Sequence, residues 1–407
     1  MKIKLFLKKD TNNYIVMPKI QKFLKENNLG SADFRGQGLN KIEDFSNTSD
    51  EAKEKVNIWI DQCTREGIKH LYFTKVSFNK DDTLYKSELF WKEFSHKHNI
   101  QNDIHINEYT DDNILDYKGI SINKDSGSIS NICIVMSFSY LDATNSHEHP
   151  VKESYPIFAE LDIKKRILIV RLKSKNKIYE YTTDENGINN INYDKKISCD
   201  KIINKIIKKL SLDIGFTQMD EGQICNEIEE AYYKILDEIT KTPDIIKQKI
   251  VEFKDVNINY IKNMLANTQI PESKYFNLIQ SDLNILLEKF ISVSYPDKEI
   301  FKDSYAFPIK LVATDSEDTK VEETASGYQP LQTKAAFYDH KKIISEEKRC
   351  EGMTLAAYRK NSIYYGKTPF TIRCDLLKTK GMGRLRFLEY VEEEDIQNVL
   401  SRIVSIL

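Results

Sequence analysis

Asp142 stands two residues beyond the apolar run Ile129–Tyr140, and Glu160-Leu161-Asp162-Ile163-Lys164 closes the next such run. Two carboxylates and a lysine in this order could hold a divalent cation and position an attacking water, which is what metal-dependent phosphodiester cleavage requires. In that chemistry Asp142 and Asp162 are the metal ligands, Glu160 an additional one, Lys164 the group that places the water, and Mg²⁺ the cofactor. A β-hairpin whose turn happens to be charged accounts for the same residues with no cofactor and no catalysis.

The pattern resembles that of the PD-(D/E)xK nucleases, with Asp142, Asp162 and Lys164 in the motif positions. The resemblance is confined to residues 142–164. No proline precedes Asp142, and an apolar run, Arg166–Lys173, follows Lys164 where that family has a helix. What the resemblance implies is a Mg²⁺-dependent nuclease.

Two other clusters could meet phosphate. Between Lys341 and Arg386 twelve basic residues face four acidic ones, interleaved with Tyr358, Tyr364, Tyr365 and Phe370. Charge neutralisation plus stacking surfaces is the combination that nucleic-acid binding uses. Its sharpest part is Lys378-Thr-Lys380-Gly-Met-Gly-Arg384-Leu-Arg386. Two glycines there would let backbone approach a ligand, and Arg384 and Arg386 would share one strand face. The second cluster, Lys164-Lys165-Arg166 followed by Arg171, Lys173, Lys175 and Lys177, spaces cations two apart and so projects them from one side of a strand. Solvated charge paired with Glu392–Asp395 is the alternative for the first cluster, and an edge strand guarded by lysine is the alternative for the second.

The remaining chemistry-bearing residues suggest less. His96 and His98 sit near a helix end and His147 and His149 in a loop, a setting for surface histidines rather than zinc ligands. Arg35-Gly36-Gln37-Gly38 reads as a turn. Six cysteines are scattered with no CxxC pair, which suits a reducing compartment, and no P-loop, dinucleotide, serine-hydrolase or zincin signature is present. The start of the chain lacks a signal-peptide core, and no apolar run approaches the roughly 18 residues of a membrane helix, so a cytoplasmic protein without a membrane partner is expected.

The elements that would carry these residues are α+β over 407 residues, a length that calls for more than one core. Lys2–Leu7 and Tyr14–Met17 read as a hairpin. Val56, Trp59, Ile60 and Cys63 make a helix face behind the capping pattern Thr48–Glu51. Strands are expected at Leu71–Phe78, Ile129–Tyr140, Tyr155–Asp162 and Arg166–Lys173. Helical periodicity takes over from Cys199 to about residue 295, with Pro243 at a first helical position. Strands return at Phe307–Ala313, Ser362–Leu377 and Arg384–Tyr390, and a helix closes the chain from Glu393. This gives an α+β domain over 1–197, a helical domain over 198–296 and an α+β domain over 297–407, whose strands could pair with the first domain's.

Heavy use of Lys, Ile and Asn points to an AT-rich genome. The leading expectation is a non-catalytic nucleic-acid-binding protein of a bacterial or mobile-element system, antiviral defence included, touching phosphate through Lys378, Lys380, Arg384 and Arg386 and, on a second surface, Arg171, Lys173 and Lys175. The alternatives are the nuclease above and a scaffold subunit that joins a partner protein or further copies of itself, the 22 tyrosines being suited to an interface.

Overall fold

The computed structural model describes residues 1–9, 14–100, 105–109, 115–143, 151–173, 178–183, 189–268, 270–314, 320–325, 327–360 and 369–407. The protein is α+β. It divides into two compact units: Met1–Ile224 with Lys360–Gly366 and Leu377–Asn398, and Cys225–Arg359 with Lys367–Leu376 and Val399–Leu407.

The first unit opens with helices α1 (Leu5–Lys8), α2 (Met17–Glu26), α3 (Arg35–Ser46) and α4 (Asp50–Arg65). Strand β1 (His70–Phe78), helices α5 (Asp82–Tyr85) and α6 (Glu88–Lys97), and strands β2 (Leu115–Asp125), β3 (Ser128–Asp142), β4 (Val151–Asp162), β5 (Ile167–Leu172), β6 (Ile178–Thr183) and β7 (Asn189–Lys196) follow. Helix α7 (Cys199–Leu210) and strand β8 (Phe216–Gln218) lead to α8 (Glu221–Ile239), within which the chain passes to the second unit. That unit continues with α9 (Asp244–Glu252), α10 (Lys254–Thr268), α11 (Glu272–Ser294), β9 (Ala306–Thr314), β10 (Lys320–Thr324), α12 (Ala335–Glu347), β11 (Gly352–Ala357) and β12 (Phe370–Leu377). Strand β13 (Met382–Phe387) and the start of α13 (Glu393–Ile406) belong to the first unit.

The first unit is built on an antiparallel sheet ordered β13-β1-β5-β4-β3-β6-β7, with β2 on β3 and β8 on β1. Alternation along the strands sends side chains into two cores. On one face Tyr72, Val170, Leu172, Ile157, Ile134 and Phe138 pack with Trp91 and Phe94 of α6 and with Ile202, Ile203, Ile206 and Leu210 of α7. On the other, Cys133 and Phe158 meet Ile20 and Phe23 of α2, Leu39 and Ile42 of α3, and Val56, Trp59 and Ile60 of α4. The sheet thus lies between two helical layers. In the second unit β10-β9-β11-β12 form an antiparallel sheet, and Tyr232 of α8 donates from its hydroxyl to the Asp375 carbonyl of β12 at 3.1 Å. No helix among the described residues is long and apolar enough to cross a membrane.

The expected N-terminal hairpin is absent. Lys2–Leu7 enters α1, and Met17 begins α2 with Pro18 in its first turn, where a missing N–H does no harm. The expected turn at Gly36 and Gly38 lies inside α3. Gly38 is there because a Cβ would collide with Ile20, and Arg35 donates to the Ile15 and Leu7 carbonyls at 2.7 and 3.1 Å. Pro243 is the N-cap of α9 rather than its first residue.

Candidate nucleic-acid interface

The carboxylates of the nuclease pattern are far apart. In the β3–β4 ladder Asp142 pairs with Val151 at one end, while Asp162 pairs with Asn131 at the other. Eleven residue steps along β3 separate those positions, on the order of 35 Å at about 3.3 Å per residue. The alternation also points the two side chains to opposite faces. Asp162 accepts from the Lys165 backbone N–H at 2.8 Å, so it caps the tight turn that contains Lys164 and leads into β5. One metal ion cannot bridge Asp142 and Asp162 in this fold. Among the described residues no group of three His, Cys, Asp or Glu side chains could hold a metal ion.

The second basic cluster also has a different role. β5 is buried along its whole length between β1 and β4, so it is not an edge strand, and Arg171 is 0% exposed. Lys173 is buried as well, and Lys175 and Lys177 lie outside the described residues. Arg171 shares the face of Phe158 and grips Glu393 at the head of α13 with both terminal nitrogens. It also reaches Glu160 at 3.4 Å and donates to the Arg65 carbonyl at 3.1 Å. Arg65 in turn pairs with Glu160 at 2.8 Å. Beside them Lys19 of α2 bridges Glu66 at 2.7 Å and Glu392 at 2.8 Å, and Tyr390 donates to Glu66. The ammonium groups of Lys69 and Lys173 stand 5.0 and 4.6 Å from the Tyr14 ring centre.

The pKa shifts agree with this geometry. Burial works against the Glu393 carboxylate, yet the Arg171 guanidinium outweighs it and holds the group below its ordinary value; Arg171 is correspondingly raised. For Lys19, hydrogen bonds to Glu392 and Glu66 likewise overcome burial and raise it. Lys69 goes the other way. Burial, with the Lys173 and Arg171 charges behind it, pushes its ammonium well below the usual lysine range, and it donates to the Thr64 carbonyl at 2.6 Å. Lys19 and Arg171 fasten the returning segment Tyr390–Glu393 to α2 and β5, while Lys69 and Lys173 lie buried beside Tyr14. They do not form the open surface the sequence suggests.

Arg384 and Arg386 lie on the opposite side of the same sheet. β13 pairs with β1 so that Arg386 stands opposite His70 and Arg384 opposite Tyr72, a row that faces α7. Both arginines are half-buried. Arg384 lies 3.5 Å from Asp200 and 6.0 Å from the Tyr72 ring centre, and Tyr72 donates to Asp200 at 3.0 Å. Lys378 is exposed in the short turn Lys378–Lys380, and Lys380 donates to the Asp200 carbonyl at 3.2 Å. The glycines here serve packing. A Cβ on Gly383 would collide with the Phe73 ring, and Gly381 takes the left-handed conformation at φ 55° against Glu221.

Asp200 lies in the first turn of α7, so the β13 cations meet a second run there. The apolar stripe Ile202, Ile203, Ile206, Ile207 and Leu210 faces the sheet, which leaves Lys201, Lys205 and Lys208 exposed and Lys209 half-buried on the outer side. Lys205 pairs with Glu180 and Lys209 with Asp213. The signal for these lysines is already in the sequence: a helix that buries this apolar stripe must turn the complementary positions outwards.

Elsewhere between Lys341 and Arg386 three cations make local pairs in the second unit: Lys341 with Glu288, Lys342 with Asp282, and Arg373 with Asp375. Of the histidines, His98 caps the end of α6 and packs tilted against Phe94 and edge-on against Tyr117, and His105 lies between Asp61 at 2.6 Å and Glu54 at 3.1 Å; His147 and His149 fall outside the described residues. No family model, curated protein or solved structure matches this chain.

Proposed function

We propose that the chain is a non-catalytic nucleic-acid-binding protein of a bacterial or mobile-element system, antiviral defence being one setting, which meets the phosphate backbone through β13 and α7. The observation that carries this reading is the meeting of two cation runs at Asp200. Lys378, Lys380, Arg384 and Arg386 come from one, and Lys201, Lys205 and Lys208 from the other. A backbone-tracking surface of this kind binds without reading bases and loses affinity steeply with salt. Fluorescence anisotropy of labelled duplex DNA, single-stranded DNA and RNA over a salt series, with Mg²⁺ present or chelated, tests it. Salt-sensitive binding that Mg²⁺ leaves intact supports the proposal, and absence of binding to all three defeats it. Cleavage that requires Mg²⁺ would restore a nuclease, with residues other than the Asp142 and Asp162 pair.

One observation favours the scaffold reading instead. Helices α9, α10 and α11 pack on one another yet leave Val251, Val256, Tyr260, Leu286 and Phe290 exposed. Apolar surface on successive helices is what an assembly interface presents. A defined oligomer in sedimentation velocity at low concentration, dispersed by Val256→Asp with Phe290→Lys and unaccompanied by nucleic-acid affinity, would favour it.

A further inference from the structure

A cleft of about 650 Å³ opens in the second unit. One end of the small sheet shapes it. Phe307 comes from the start of β9, Tyr358 and Arg359 from just past the end of β11, and Pro369 from just before β12; Tyr328 and the segment Glu299–Ser304 complete the wall. A register shift between Thr354 and Leu355, opposite Pro308, bends the β9–β11 pair beside it. Bulges of this sort re-aim the side chains beyond them.

The lining combines flat rings with charge. Tyr328 lines the cleft, is 43% exposed, and has its hydroxyl 3.2 Å from the Thr371 hydroxyl, which anchors the ring's outer edge. Phe307 and Tyr358 stand 5.9 Å apart, centre to centre. The Arg359 guanidinium lies 5.2 Å from the Phe370 ring centre and the Lys302 ammonium 5.8 Å from that of Phe307, so apolar faces steer both cations to the wall. Lys302 also pairs with Glu299 at 2.7 Å, and because that carboxylate is largely exposed, an anion can compete for the lysine. Burial raises the Tyr358 phenol, with Glu299 and Asp303 adding to the effect, so it enters as a hydrogen-bond donor.

We propose that this cleft is a nucleotide site: a base stacks on Tyr328 and Tyr358, Arg359 and Lys302 take the phosphate, and Asp303 with Ser304 accept from amino or hydroxyl groups. The volume falls within the usual small-ligand range of roughly 300–1,000 Å³. Stacking is sequence-tolerant because every base has a π-face, and a guanidinium held over an aromatic ring keeps its N–H edge for phosphate. The occupant is either a free mononucleotide or one residue of a single strand, which share this chemistry.

Titration calorimetry of the full chain with AMP, GMP, CMP and UMP, with adenosine, with inorganic phosphate and with a short single-stranded oligonucleotide tests the assignment. Saturable binding of at least one mononucleotide, tighter than adenosine or phosphate, identifies the free ligand. Binding of the oligonucleotide alone identifies a strand residue. In either case Tyr328→Ala and Arg359→Gln should each weaken binding roughly tenfold, while Tyr328→Phe stays within about twofold. Arg384→Glu with Arg386→Glu should leave mononucleotide binding unchanged, which separates this site from the proposed surface of the first unit. No saturable binding, equal binding of phosphate and nucleotide, or binding indifferent to both Tyr328→Ala and Arg359→Gln would overturn it.

Discussion

The two faces of the first unit's sheet treat the same kind of residue in opposite ways. Within a few residues of β1, Leu71 pairs on one side with Arg171 and on the other with Leu385, while its neighbours Tyr72 and His70 pair with Arg384 and Arg386. The step of one residue along the strand decides the outcome. Arg171 is turned into a closed layer where Glu160 and Glu393 meet it, and the guanidinium becomes a fastener. Arg384 and Arg386 are turned towards the first turn of α7, where Asp200 lies against Arg384 and Lys380 and the lysines of α7 add further charge on the outer side. Charge density along a sequence therefore says little about a binding surface until the strand face is known.

This contrast predicts that variants on the two faces fail differently. The largest effect is expected at the buried pair. Glu393→Ala, which removes the nearest carboxylate of buried Arg171 and leaves it Glu160 at 3.4 Å, should lower unfolding free energy by about 3 kcal/mol in urea denaturation, whereas Arg171→Met with Glu393→Leu should recover most of that loss. A single variant that leaves stability unchanged would mean the network holds nothing together. Next, Arg384→Glu with Arg386→Glu should reduce nucleic-acid affinity by roughly one to two orders of magnitude and flatten the salt slope by about two. Lys201→Ala and Lys208→Ala should each weaken binding modestly and remove about one unit of slope for duplex DNA. Measurement of apparent affinity between low and moderate salt separates these.

The same contrast governs how much of the molecule is legible in its sequence. α4, β1, β3, β4, α7 and α13 are expected from apolar periodicity, since each buries a continuous stripe or run that nothing else explains. The N-terminal segment misleads because Ile3, Leu5, Phe6 and Leu7 are dense enough to suit a strand. The helical spacing of Ile20, Phe23 and Leu24 behind Pro18 is the better signal, and it marks α2. Arg171 carries a readable clue too. It interrupts Ile167-Leu-Ile-Val-Arg-Leu172, a run without alternation, and such runs are central strands buried on both sides, where a cation must be paired. Its partners could not be read, because Glu393 lies 222 residues away. Asp142 and Asp162 look adjacent on paper for the converse reason: a long antiparallel ladder sends the ends of consecutive strands to opposite ends of the sheet.

The smallest predicted effect is a pH window. Glu393 is depressed in the folded protein, so its stabilisation is present above its ordinary value of 4.5 and is lost as pH falls through the folded value. Lys19 is raised, so its share is complete below 10.5 and is lost as pH climbs through its folded value. Thermal unfolding across pH should show Glu393→Gln flattening the loss of stability on the acidic side while leaving the alkaline side as in the parent protein.

The assignment of the two faces is tested most directly by one variant read two ways: Arg384→Glu with Arg386→Glu, measured for its urea midpoint and for the salt slope of its nucleic-acid affinity. The two faces predict a loss of stability well below that of Glu393→Ala, together with a slope lower by about two. An unchanged slope, or a collapse in stability with the slope intact, would place Arg384 and Arg386 among the fasteners and contradict the assignment of this face to nucleic acid.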